Sequence, residues 1–388
     1  MQIEKRITNT DAIQIVTPRQ LRQTMTKRAN AKVERISKDL RALALAQGAG
    51  TQLPTIRELC VRLQTSSATL TAALDLLEGE KILCRKERQG IFVADVIYQR
   101  TIHIVFNVST MTNVGQSPFW SLLWVKLLQE AEQNAAFKNE QYRFHFLCLA
   151  PGENLPDEYL ALLNSPQSDG CLLIGLSARI DGVKKLITTP HVVFAGGGDV
   201  MVQIDQQEAA RLAMQTLIQQ GCKKVGCWVA VPNGPPTNYE LIVLDSLKQV
   251  AADLPMHLYP EFFRVANLPP TPVRTMIYQE QGYLLAREIF ATFNEHRPDG
   301  LYISDDMLTS GALVALEELG IEIGKDIKIV TYANAGSPIL FGRTKQMASV
   351  EVDTADIARA LFSALDTAIS KGVEPGDTIV PIRPHLYL

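Results

Sequence analysis

The chain has no uninterrupted apolar run of the roughly 18 residues that a membrane-spanning helix needs. Met1 to Val16 is polar and charged throughout, without the apolar centre of a signal peptide, which predicts a cytoplasmic protein with no membrane partner. The six cysteines (Cys60, Cys84, Cys148, Cys171, Cys222 and Cys227) are scattered in apolar contexts, and none forms a CxxC pair. That spacing speaks against a zinc or disulfide framework and predicts buried, reduced thiols. Gly196-Gly197-Gly198 lacks the GxGxxG spacing and opens no helix, so it reads as a flexible loop rather than a phosphate cradle. With no legible nucleophile–base–orienter set and no metal-ligand cluster, neither an enzyme nor a bound cofactor or metal is expected.

What is present is uneven. Residues 1–100 hold 17 Lys+Arg against 10 Asp+Glu, whereas the other 288 residues hold 21 against 31. A basic head on an acidic body points to a polyanionic partner for the head, although ordinary surface charge gives the same imbalance. The length suits one small domain and one larger, two-lobed one.

Residues 1–28 show weak periodicity and read as an extension, with Thr17-Pro18 fit to cap a short helix. From Ala29, Val33, Ile36, Leu40 and Leu43 recur on one helical face, and Gly48 and Gly50 end it. Thr55 and Glu58 form a capping box before a helix with Ile56, Leu59, Cys60 and Leu63 on its apolar face. Ser66 or Ser67 then caps a third helix, whose inner face is Leu70, Ala73, Leu74 and Leu77. Two short helices joined by a tight turn make a helix-turn-helix. Ile82 to Lys86 and Gly90 to Val93 read as two strands of a wing, with Gly90 where the backbone turns or is closely approached.

Residues 29–95 are therefore expected to be a winged helix-turn-helix. The segments Leu53 to Leu59, Thr65 to Leu74, Leu77-Glu78 and Gly90 to Val93 resemble the GntR family of regulators in order and spacing. The resemblance implies that Arg57, Ser66, Ser67, Thr69 and Gly90 lie against double-stranded operator DNA. Where the family has arginines, at the start of the recognition helix and four residues on, this chain has Ser67 and Thr71. Phosphate contacts are then expected from Arg57, Arg62, the wing residues Arg85, Lys86 and Arg88, or the basic extension.

After a short link at Ala94 to Arg100, short apolar runs alternate with helical segments over residues 101–388. The runs are 102–106, 170–174, 191–194, 225–229, 300–303 and 327–330. Alternation of this kind predicts an α/β fold, with parallel sheets covered by helices and the ligand site beyond the carboxyl ends of the strands. Those strand-end loops offer Phe119-Trp120, Ser304-Asp305-Asp306 and Tyr332-Ala333-Asn334. Phe119 and Trp120 read equally as core residues, and Asp306 as a helix N-cap. Their convergence suits a polyol, whose faces stack on aromatics and whose hydroxyls pair with carboxylates and amides.

Asp169-Gly170, Val202 to Asp205, Gln220 to Val225, Ser304 to Leu313, Leu319 to Ile327 and Ser349 to Asp353 resemble the LacI-type effector domain, which is related to periplasmic sugar-binding proteins. The resemblance implies ligand positions at Phe119, Asp305 and Tyr332, and at Ala333, where the family has an aspartate. The family's pocket arginine would fall near Tyr239 or Glu240, where there is none. A GntR-type head on a LacI-type body resembles the arabinose-regulator arrangement. That implies a homodimer on pseudo-palindromic DNA, responding to a sugar-like effector.

Overall fold

The computed structural model describes residues 18–87, 89–94, 99–108, 118–149, 153–176, 186–230, 238–254, 257–266, 276–291, 297–343, 346–372 and 378–388. Over 18–30, 136–137, 238–244, 251 and 257–261 only the backbone is described. Arg88, residues 1–17 of the expected extension and residues 95–98 of the link lie outside the described residues.

In the head, α1 (Pro18–Gln47) is one continuous helix, longer than the segment expected from Ala29. Proline at its first residue is compatible with a helix start, and its next 29 residues contain neither proline nor glycine. Gly48, at φ +86, ends it and donates its amide to the Ala44 carbonyl. Helix α2 (Ile56–Arg62) carries the expected capping box: the Glu58 amide donates to Thr55 Oγ1, and the Thr55 amide donates to Glu58 Oε2 at 2.8 Å. The latter bond holds the Glu58 carboxyl below its ordinary pKa.

Ser66, not Ser67, caps α3 (Ser67–Gly79). Strands β1 (Leu83–Lys86) and β2 (Gly90–Val93) pair antiparallel with Lys86 opposite Gly90. Ile36, Leu40, Leu53, Leu59, Leu70, Leu74, Leu77, Ile82 and Val93 form the core that the periodicity predicted. Ile56 departs from that expectation and is exposed, because the turn begun by Thr55 leaves the first residue of α2 outside the core.

The body contains two six-stranded sheets. In the N-lobe the order is β13-β7-β6-β5-β3-β4, where β3 is Arg100–Asn107, β4 Glu140–Leu147, β5 Gly170–Ile174, β6 His191–Phe194, β7 Val200–Ile204 and β13 Thr378–Ile382. All its pairings are parallel. In the C-lobe the order is β14-β12-β11-β10-β8-β9, where β8 is Lys224–Ala230, β9 His257–Ala266, β10 Gly300–Ile303, β11 Lys328–Asn334, β12 Ala348–Val352 and β14 His385–Tyr387. Only β14 runs antiparallel to its neighbour.

The helices are α4 (Phe119–Lys138), α5 (Asp157–Leu163), α6 (Gln206–Gln219), α7 (Asn238–Asp253), α8 (Tyr278–Phe290), α9 (Asp306–Glu318) and α10 (Thr354–Lys371). The chain passes between lobes three times: after β7, after β12, and between β13 and β14. The first two crossings are fixed by Asp205 and Asp353, whose carboxylates accept the Glu208 and Ala355 amides and so cap α6 and α10. No helix among the described residues is long and apolar enough to cross a membrane. The thiols depart from the expectation of uniform burial. Cys171, Cys222 and Cys227 are buried, Cys60 and Cys84 are half-buried, and Cys148 is exposed just beyond the edge strand β4.

Candidate functional site

Two places carry the residues singled out by sequence. The first is the outer face of the head. Arg57 and Arg62 project from α2 into one open groove, together with Gln47, Gln52 and Thr55. At the start of α3, Ser66 Oγ accepts the Thr69 amide and shares a 2.9 Å hydrogen bond with the Thr69 hydroxyl, leaving Ser67 exposed and Thr71 half-buried. The outward side of the first turns of α3, Ser67, Ala68, Thr71 and Ala72, is thus made of small and hydroxyl side chains, with Asp75 and Leu76 exposed further along.

The wing is organised around Gly90. Its φ is +114, which demands glycine, and a Cβ there would lie 2.9 Å from Gln52 Nε2, whose side chain would have to move. Gln52 in turn donates to the Gln89 carbonyl at 2.7 Å and thereby braces the wing. Its role was not legible in the sequence, because its partner lies 37 residues away. Lys86 Nζ sits 4.7 Å from the Phe92 ring centroid. Arg85 is already engaged: its guanidinium donates to Asp75 at 2.6 Å and pairs with Glu78 at 3.6 Å, fastening β1 to α3. Of the expected phosphate partners with described side chains, this leaves Arg57, Arg62 and Lys86 as exposed cations.

The second place is the carboxyl end of the body's strands. Phe119 and Trp120 open α4, half-buried over the ends of β3 and β6. Their ring centroids are 5.2 Å apart, and Phe194 lies 5.9 Å from Phe119 and 6.1 Å from Trp120. Both are therefore integral to the rim of the N-lobe core. On the C-lobe side, Ser304 Oγ accepts the Ala230 amide and ties the end of β10 to that of β8.

Asp305, not Asp306, is the N-cap of α9, with Oδ1 accepting the Leu308 amide at 2.9 Å. The helix begins one residue earlier than expected. This turns Asp306 inward, where it is 1% exposed and accepts the Ser337 hydroxyl at 2.8 Å. Burial, and then the adjacent Asp306 carboxylate, push the Asp305 carboxyl well above the ordinary carboxylate range.

Tyr332 packs against hydrophobic clusters of both lobes. Its neighbours Ala333 and Asn334 line a small cavity of about 40 Å³ with Asp306, Leu340, Met347 and Glu351. The structure thus gathers Asp306, Asn334 and Ala333 in one place, and Phe119 with Trp120 in another. The side chains of Tyr239 and Glu240, at the start of α7, lie outside the described residues. Asn107 was not anticipated. Buried at the end of β3, it donates to the Gly175 carbonyl and accepts the Leu149 amide, lacing three strand ends together. A polar residue closing the apolar run Ile102 to Phe106 was its only signal.

Comparison with known proteins follows this division. Residues 31–93 match the model of bacterial regulatory proteins of the gntR family, and residues 214–388 match that of the periplasmic binding protein-like domain. The chain joins a head that matches the gntR model to a body that matches the periplasmic binding protein-like model over most of its length. The sucrose operon repressor of Streptococcus mutans serotype c is 25% identical over 238 residues, spanning 59% of this chain and 67% of that protein. The HTH-type transcriptional repressor PurR of Yersinia pestis (strain Pestoides F) is 26% identical over 276 residues, spanning 66% of this chain and 74% of its own. A crystal structure of a LacI-family regulatory protein from Chloroflexus aggregans superposes with a TM-score of 0.59 at 19% identity, covering 74% of this chain and 96% of that one. What the body shares with that structure is the fold.

Proposed function

We propose that the protein is a cytoplasmic transcriptional repressor. Its GntR-family head binds an operator duplex, and its LacI-type body binds a small neutral sugar or polyol between the lobes. The observation that carries this reading is the head itself: an α3 start exposed at Ser66 and Ser67, a wing that turns at Gly90, and exposed cations at Arg57, Arg62 and Lys86. The names of the two repressor relatives support it. The aromatic pair Phe119 and Trp120, and the carboxylate and amide of Asp305 and Asn334, all at strand ends, support a polyol.

The working unit is a homodimer, because winged-helix heads that read half-sites need two copies in register. Helix α4 supports this. It is apolar nearly all round from Phe119 to Leu128, yet only the stripe of Leu123, Leu127 and Ala131 is buried. Val125 (47%), Leu128 (37%) and Phe146 (50%) on the neighbouring edge strand remain exposed, a surface suited to a second copy.

One observation favours a second reading, a ligand-sensing module with weak or lost DNA binding: α3 carries no cation, and Arg85 is spent on Asp75 and Glu78. Gel shifts with genomic fragments separate the two. A repressor dimer with about six to eight phosphate contacts should bind at 50 mM salt as two chains per duplex and lose about a thousandfold or more in affinity by 200 mM. Absence of any shift at low salt establishes the sensing-only reading instead.

A further inference from the structure

Away from both sites, on the N-lobe face covered by α5, His103 of β3 and His145 of β4 meet across the seam between the two strands. His103 Nδ1 and His145 Nε2 are 2.8 Å apart, and the rings stack at 5.1 Å between centroids. His103 is buried, His145 is half-buried, and Tyr159 of α5 packs edge-on against His145. At 2.8 Å one nitrogen donates and the other accepts, so the pair holds a single bridging proton. A first added proton leaves one imidazolium donating to the other ring and costs the burial of a charge, and a second removes the hydrogen bond and sets two like charges against each other.

The surroundings sharpen that penalty. Arg143, the register neighbour of His103 on β4, adds positive charge. On β5, Cys171 lies beside His103 as a buried thiol, pushed up to about 12 by burial and so neutral. Asp169, just before β5, is the opposing carboxylate. The balance falls against protonation. Burial first, then His145, then Arg143 push His103 down to about 4, and burial followed by Arg143 lowers His145.

Strand β4 is the edge of its sheet and is hydrogen-bonded to β3 alone. Its continuation, Leu149, is what Asn107 fastens at the strand-end rim. We propose that the His103–His145 pair is a proton-operated latch that releases strand β4 and its covering helix α5 from the N-lobe sheet on mild acidification. The direction follows from linkage. Between pH 6.5 and 4 the opened chain binds the proton and the closed lobe does not, so closure weakens as pH falls through that window.

Hydrogen exchange of the full chain, corrected for the intrinsic rate, reads this directly. Peptides spanning 140–149 and 157–163 should lose about tenfold in protection between pH 7.5 and 5.0, while peptides of the C-lobe sheet keep theirs. In the His103→Gln, His145→Gln double variant, whose amides can still hydrogen-bond and cannot take a charge, most of that loss should vanish. An equal loss in the variant, or a loss spread evenly over both lobes, overturns the latch. Should the variant fail to fold at pH 7.5, NMR titration of the native histidine rings decides: His103 remaining neutral to below pH 5 supports the latch, and titration near 6.5 overturns it.

Discussion

Gly311→Ala is expected to lower the thermal transition of the body by about 6–12 °C, corresponding to about 3 kcal/mol of overpacking in a unit of this size. Helices α8 and α9 touch backbone to backbone. A Cβ at Gly311 would sit 1.8 Å from the Gln279 carbonyl oxygen, and one at Gly282 would sit 1.9 Å from that of Leu308. No rotamer relieves a clash with a main-chain oxygen, so the helices must separate. Separation opens voids beneath Leu285, Ala286, Leu308 and Ala312, all in one cluster. Ser310→Ala, one residue along on a half-exposed position, serves as the control and should leave the transition in place. Calorimetry that finds Gly311→Ala within a degree or two of the unmodified protein would show that the crossing is looser than described.

Leu74→Ala should act as strongly on the other unit. Leu74 is 1% exposed in a core to which α1, α2, α3 and both wing strands contribute. A buried leucine truncated to alanine costs about 3 kcal/mol. In a head whose family match spans residues 31–93, that is a large share of the whole stability. The head's transition should fall by about 15 °C while the body's stays fixed, because the substitution shares no packing with it. Loss of operator binding at 37 °C with intact body melting is the expected pair of results. Equal displacement of both transitions would mean that the two units unfold as one.

Much of this was legible in sequence where the determinant is local. Thr55 and Glu58 lie three residues apart, so their capping box needs no tertiary knowledge, and Gly90 announced the wing. The strands at the centre of each sheet, β3, β5, β6, β8 and β10, are buried on both faces and read as apolar runs. The edge strands β4, β9, β13 and β14 did not. Strand β4 alternates His, Tyr and Arg with Phe because one side of it meets solvent.

Partnerships over long separations were equally hidden. Nothing local says that Arg85 belongs to Asp75 and Glu78 rather than to a phosphate, or that His103 meets a histidine 42 residues on. The assignment of the cap to Asp306 failed by one residue, because adjacent aspartates offer the same oxygen and only the helix start chooses between them. For the strand-end rim, pattern located Phe119, Asp305 and Tyr332 but not which of them converge, since that depends on how the two sheets are set by the crossings.

The threefold passage of the chain between lobes has a consequence for biosynthesis. The N-lobe sheet is completed by β13 and the C-lobe sheet by β14, strands separated by only two residues. During translation the head is sequence-contiguous and is free to close early, whereas both lobes wait for the same late stretch of polypeptide. Until it emerges, β7 and β12 each present an unpaired edge. The body therefore spends most of its synthesis as two incomplete sheets, and a nascent chain stalled before Thr378 would display an assembled head on a body unable to finish either lobe.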